Sequence, residues 1–245
     1  MATTTSRLPA LLAADLRNIT RDSMLRFLLL YPVIIGLVMR WLVPLVTRAL
    51  ADRLDLTVYY PLLGSFFALL IMPALTGTVV GFMVLDERDS GTLRALQVTP
   101  LSMGGYLLYR TAFQVVLCVA GSYIITALMG MLAVPWLALL PLALLAALEA
   151  PLFAMLFASL AANKVQGVAV MKGLSLLMVL PFVAWFVSPP WQWLFGIVPT
   201  FWPIKAAWLL AAGQPYAWVL GIGLLLHIVY LLPVFRLYRR RIYRA

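Results

Sequence analysis

Asp86, Glu87 and Asp89 place three carboxylates within four residues, the densest acidic cluster in the chain. Carboxylate oxygens are the ligands that hard divalent cations take, so metal-assisted attack on a phosphate-bearing lipid is the first chemistry to weigh. Consecutive side chains on a helix start do not converge on one ion, however, and Arg88 stands among them. His227 is the only histidine and Cys118 the only cysteine. One histidine supports no Ser/His/Asp or Cys/His nucleophilic set, and His227 has no partner residue for a metal site. A phosphate-cradling G-x-x-x-x-G-K-[ST] loop is absent as well, since no Gly-Lys pair occurs anywhere. The expectation is a chain that is not an enzyme, with no catalytic residue, metal or cofactor of its own.

The elements that carry these residues follow from hydropathy. The chain is 64% hydrophobic and 11% charged, with a mean hydropathy of +1.03. Soluble domains hold roughly 45–50% apolar and about 25% charged residues. Leu56–Leu85 is thirty residues without a charge and Thr111–Leu148 thirty-eight, beyond the roughly 20 that cross a hydrocarbon core. This reads as an all-α membrane protein with six spans, at about 27–47, 59–84, 106–133, 137–162, 167–188 and 216–235. Pro135-Trp136 divides the longest run into two helices. Pro189, Pro190, Pro199 and Pro203 exclude a seventh continuous helix. Segment 189–213 is therefore expected as outer re-entrant helices, with Trp191, Trp193, Trp202 and Trp208 in an aromatic belt.

The net charge of +10 reads as a topology signal beside anionic lipid and not as a nucleic-acid site. Six spans put fourteen of the eighteen Lys and Arg on one side, including the tail 236–245, and leave Arg40, Arg48, Arg53 and Lys205 on the other. Both termini are then cytoplasmic. Only seven apolar residues, Leu8–Ala14, follow Arg7 before Asp15, which does not read as a cleavable signal peptide. Residues 6–23 repeat apolar positions at helical spacing, as an interfacial helix that either anchors the chain or docks on a partner.

Within the spans, Glu149 is the one deeply placed acid, costly to bury. A role in the substrate path or a conformational switch and a structural hydrogen bond both fit it. Arg40 either snorkels to the outer surface or lines the pathway. Lys172 is expected to snorkel inward and His227 to be a packed, hydrogen-bonded core residue. Gly77 and Gly81 permit close helix approach, either inside the chain or at a dimer contact.

The acidic cluster returns in a different light. Ser90 and Thr92 suit a helix start, and Asp86, Glu87 and Asp89 suit its positive end. Leu93 and Leu96 share a face of a short helix that Thr99-Pro100 ends. Glu87-Arg88-Asp89-Ser90-Gly91-Thr92-Leu93, followed by Thr99-Pro100-Leu101-Ser102, resembles the signature of ABC-2 type transporter permeases. The resemblance extends to the whole layout. It implies an ATP-driven exporter's membrane subunit, in which Glu87, Gly91, Thr92, Leu93, Leu96, Thr99 and Pro100 form a coupling loop held by a separate ATP-binding subunit. ATP and Mg would sit on that partner, and a second permease subunit, identical or not, would complete the pathway in a prokaryotic inner membrane. Asn163-Lys164-Val165-Gln166-Gly167 resembles the inner loop of the small drug-export permeases of this family, fluoroquinolone exporters among them. The apolar walls suit a small hydrophobic or amphiphilic substrate. A secondary transporter or a non-transporting scaffold is the alternative.

Overall fold

A backbone in hydrocarbon must satisfy its own N–H and C=O groups, which leaves helices as the economical solution for runs this apolar. The computed structural model describes residues 23–92 and 103–242, and the described residues are helical with no strand. The expected elbow helix at 6–23 and Leu93, Leu96, Thr99 and Pro100 of the loop lie outside them, apart from Ser23.

Helix α1 is Ser23–Leu50. The second span runs through a short 3-10 turn, α2 (Tyr60–Ser65), a π-helical segment Phe66–Ile71, and α3 (Met72–Asp89). Helix α4 is Met103–Met129, and α5 (Trp136–Ala147) and α6 (Glu149–Leu160) together make the fourth span. Helix α7 is Lys164–Ala184, followed by the short α8 (Pro189–Gln192), α9 (Phe201–Ala211) and finally α10 (Ala217–Ile242). Six helical stretches are long and apolar enough to cross a membrane, as the hydropathy predicts. The second and fourth are the most buried, and α3 against α6 is the most extensively packed pair. The chain is an integral membrane protein built around that pair.

Two prolines and a glycine stand where helices change. Pro73 has no N–H and its ring crowds the preceding turn. The backbone before it widens into the π segment, where Ala68 O would look to residue 73 for its donor. Ser122 on α4 supplies it instead, with Oγ 2.6 Å from Ala68 O. Pro151 likewise crowds the carbonyl four residues back, and the fourth span breaks at Leu148, leaving Glu149 in the first turn of α6. Gly130, at a φ of 68°, ends α4 four residues before the expected boundary.

The structure adds detail to several expectations. Gly77 and Gly81 face α6 within the same chain. A Cβ at Gly77 would stand 2.5 Å from Ala150 O, and one at Gly81 2.7 Å from Phe157 Cδ1. Of the two readings of these glycines, close packing inside the chain is the one that α6 realises. In the aromatic belt, Trp191 is exposed, but Trp202 and Trp208 are buried packing residues. Their indole N–H groups donate to Gly196 O at 2.8 Å and Ser65 Oγ at 2.9 Å. Lys205, read as an outer charge, is buried beside Trp193 and Trp208 and donates to Gln192 Oε1 at 2.6 Å. Burial pulls its pKa below the ordinary lysine value. The tail expected from 236 is helical through Ile242.

Candidate functional site: a three-way clamp at the end of the second span

The second span does not stop at Leu85. Helix α3 continues to Asp89, so Asp86, Glu87 and Asp89 occupy its last turn and not the start of the next helix. Gly91, at a φ of 74°, closes it, with Ser90 N–H donating to Asp86 O (2.9 Å) and Gly91 N–H to Arg88 O (3.1 Å). Thr92 is exposed and its hydroxyl lies 2.9 Å from Ser90 Oγ. Carboxylates at a helix C-terminus meet the negative end of its dipole. Cations from other elements compensate, and that is what gives the cluster its geometry.

Three consecutive side chains reach three different helices. Asp86 pairs with Lys164 at the start of α7, at 2.5 Å. Glu87 accepts from Tyr106 and from Arg110, both on α4. Arg88 donates to Ala161 O at 2.9 Å, Ala162 O at 2.5 Å and Ala158 O at 3.4 Å, the free carbonyls at the end of α6. The carboxylates diverge, and among the described residues no group of them converges on one ion. The strengths differ. Asp86–Lys164 is half exposed and contributes little. Glu87–Arg110 is largely shielded from solvent, and Arg110 Nε also donates to Tyr106 Oη at 3.1 Å.

The second motif meets the first here. Asn163 caps α7 by accepting from Gln166 N–H at 3.0 Å, and Gln166 Oε1 accepts from Ala162 N–H at 3.0 Å. Gly167 lets α7 approach α6 and α3, since a Cβ there would lie 3.0 Å from Phe157 and 3.1 Å from Leu85. Motifs some 75 residues apart in sequence thus form one joint. Short polar contacts thus tie the end of α3 to α4, α6 and α7.

Sequence reasoning missed Tyr106 and Arg110. Their signal was the placement of two polar side chains one helical turn apart at the start of an apolar run. It also missed that Glu149 and His227 face each other across α6 and α10, both fully buried. His227 is hydrogen-bonded as expected, through Nδ1 to Gly223 O at 2.7 Å. Arg40 lies on the exposed face of α1 and donates to Leu128 O at 3.2 Å, capping the far end of α4. Lys172 is exposed on α7.

Comparison with known proteins gives the family. The family described as "Fluoroquinolones export permease protein Rv2686c-like" matches residues 15–235. Two curated relatives from Mycobacterium tuberculosis are similar. Fluoroquinolones export permease protein Rv2686c, from strain ATCC 25618 / H37Rv, is 35% identical over 235 residues, covering 93% of this chain and 92% of that protein. Fluoroquinolones export permease protein MT2760, from strain CDC 1551 / Oshkosh, matches to the same extent. No solved structure matches the chain. With the family model matching most of the chain and a relative 35% identical over 93% of it, the chain belongs to the Rv2686c-like fluoroquinolones export permease family.

Proposed function

We propose that the chain is the permease subunit of an ATP-driven drug exporter. A separate ATP-binding subunit, carrying ATP and Mg, holds the segment after Asp89, and a second permease subunit completes the pathway. The clamp end faces the cytoplasm, with both termini, in a prokaryotic inner membrane. One observation carries the reading: the residues that resemble a coupling loop begin where Asp86, Glu87 and Arg88 tie α3 to α7, α4 and α6. A push delivered to that loop reaches four helices at once. The relatives' names supply the cargo class, a fluoroquinolone.

The test is uptake of norfloxacin into inside-out vesicles containing the chain and the ATP-binding protein that copurifies with it. Uptake is expected to require ATP hydrolysis. Glu87→Gln, which removes the charge facing Arg110, is expected to lower uptake severalfold while ATP hydrolysis continues. Undiminished coupling in that variant would remove the clamp from the mechanism.

A second reading, transport driven by a proton gradient, has one observation in its favour. Glu149 and His227 are ionisable groups buried within the spans. Uptake that follows an imposed proton gradient in vesicles lacking any ATPase would replace the first reading with this one.

A further inference from the structure

A cavity of about 340 Å³ opens between α3, α4, α6 and α10, within the roughly 300–1,000 Å³ of small-molecule pockets. Val80, Leu107, Pro151 and Ile228 give it apolar walls, and the exposed side chain of Leu232 stands at its mouth. One atom breaks this pattern. Gln114 lines the cavity, is 3% exposed, and leaves Oε1 without a hydrogen-bond partner just beneath the cavity wall. A half-turn of the terminal amide about the Cγ–Cδ bond, a soft rotation, brings it to face a ligand. A buried acceptor with no donor costs about 1–3 kcal/mol, a penalty that a ligand's donor group would relieve.

Two other cavities among the described residues lack this combination. One of about 440 Å³, between the π segment and α7, has Ser175 in its wall, but that hydroxyl already donates to Met171 O at 2.8 Å. None of its lining residues holds a buried unpartnered atom. A third, of about 260 Å³, contains the unpartnered Thr200 hydroxyl but is smaller and otherwise apolar.

We propose that the cavity beside Gln114 is the site where the transported molecule binds, and that Gln114 Oε1 is its recognition atom. The inference rests on the export reading above. The occupant is an amphiphile with an apolar body and an N–H or O–H donor, entering sideways from the membrane past Leu232. An acyl chain does not qualify, because it has no donor for Gln114. Charge is not the main selector at the other end, since Arg110 there is already matched by Glu87. That contact also places the ligand against the clamp, so an occupied cavity bears on the residue that ties α4 to α3.

The test is fluorescence titration of the purified full chain in nanodiscs with norfloxacin, whose piperazine ring carries an N–H donor. Gln114→Leu removes the acceptor at similar volume. It is expected to weaken binding about tenfold or more while raising thermal stability, because an orphaned polar atom disappears from a buried site. A merely structural glutamine would give the opposite sign in stability. Leu232→Trp, at an exposed position that tolerates bulk, narrows the mouth and is also expected to weaken binding. Unchanged binding in both variants overturns the site assignment, and if Val179→Trp, at an exposed position lining the second cavity, abolishes it, the site moves there while the export reading stands. If the unaltered chain neither binds norfloxacin nor accumulates it in vesicles, the export reading falls and takes this proposal with it.

Discussion

His227 Nε2 on α10 lies 3.9 Å from Glu149 Oε1 on α6, and neither side chain is exposed. Gly223 O accepts from His227 Nδ1 at 2.7 Å, which fixes the proton of a neutral ring on Nδ1 and turns Nε2 toward the carboxyl group. At 3.9 Å the two groups do not hydrogen-bond. Nε2 and both carboxyl oxygens lack any partner, in the middle of the bundle. Evolutionary stability alone would not favour such a pair, because each orphaned group costs about 1–3 kcal/mol.

Glu149→Gln puts an amide donor opposite Nε2 in nearly the same volume. The expected result is a melting temperature in detergent above that of the unaltered chain, together with slower drug uptake if the pair serves transport. A lower melting temperature would mean that the carboxyl group holds the helices together through contacts other than those seen here.

The glycines of α3 separate two kinds of close approach. At Gly77 the obstacle to a Cβ is Ala150 O, a backbone atom at 2.5 Å that cannot turn aside. At Gly81 it is the ring of Phe157, at 2.7 Å. Overpacking a tight core costs about 1–3 kcal/mol, and backbone obstacles belong at the upper end. Gly77→Ala should therefore cut the folded fraction surviving a heat step on size-exclusion chromatography far more than Gly81→Ala. Equal losses would show that the two helices slide apart freely.

Arg88 offers a comparison of shape with charge. Its planar guanidinium reaches Ala158 O, Ala161 O and Ala162 O from two nitrogens held apart in one plane, a spread that the single nitrogen of an ammonium does not have. Hydrogen bonds from a charged donor contribute about 1.5–3 kcal/mol. Both Arg88→Ala and Arg88→Lys are expected to lower the melting temperature, the lysine variant recovering less than half of the loss. Hydrogen exchange should rise at the end of α6 in both. Full recovery by lysine would reduce the contact to simple charge attraction.

How far the sequence reaches is clear from these residues. The spans were legible because length and hydropathy dominate once the solvent is lipid, and the Asp86–Gly91 and Asn163–Gly167 motifs stood out as polar islands. Their junction was not legible, because nothing local says that Asp86 will meet Lys164 or Arg88 the end of α6. The acidic residues were assigned to the wrong helix end for a related reason. A dipole argument fits either end until the compensating cations, Lys164 and Arg110, are located in space. The burial of Trp202 and Lys205 was not legible, because composition says nothing of how α9 packs against the bundle.

Ser122 and Pro73 make the last case, in which one substitution should repair another. Ser122 Oγ donates to Ala68 O at 2.6 Å in a site with no water access. Ser122→Ala alone leaves that carbonyl unsatisfied, at about 1–3 kcal/mol, and is expected to lower the melting temperature. Pro73→Ala restores a backbone N–H in the turn that the carbonyl faces, so the π segment can close its own hydrogen bonds. In the Pro73→Ala background, Ser122→Ala should then cost little. A double-mutant cycle on thermal stability reads the difference directly. A coupling near zero would mean that the π segment keeps its shape for packing reasons unrelated to the missing proline N–H.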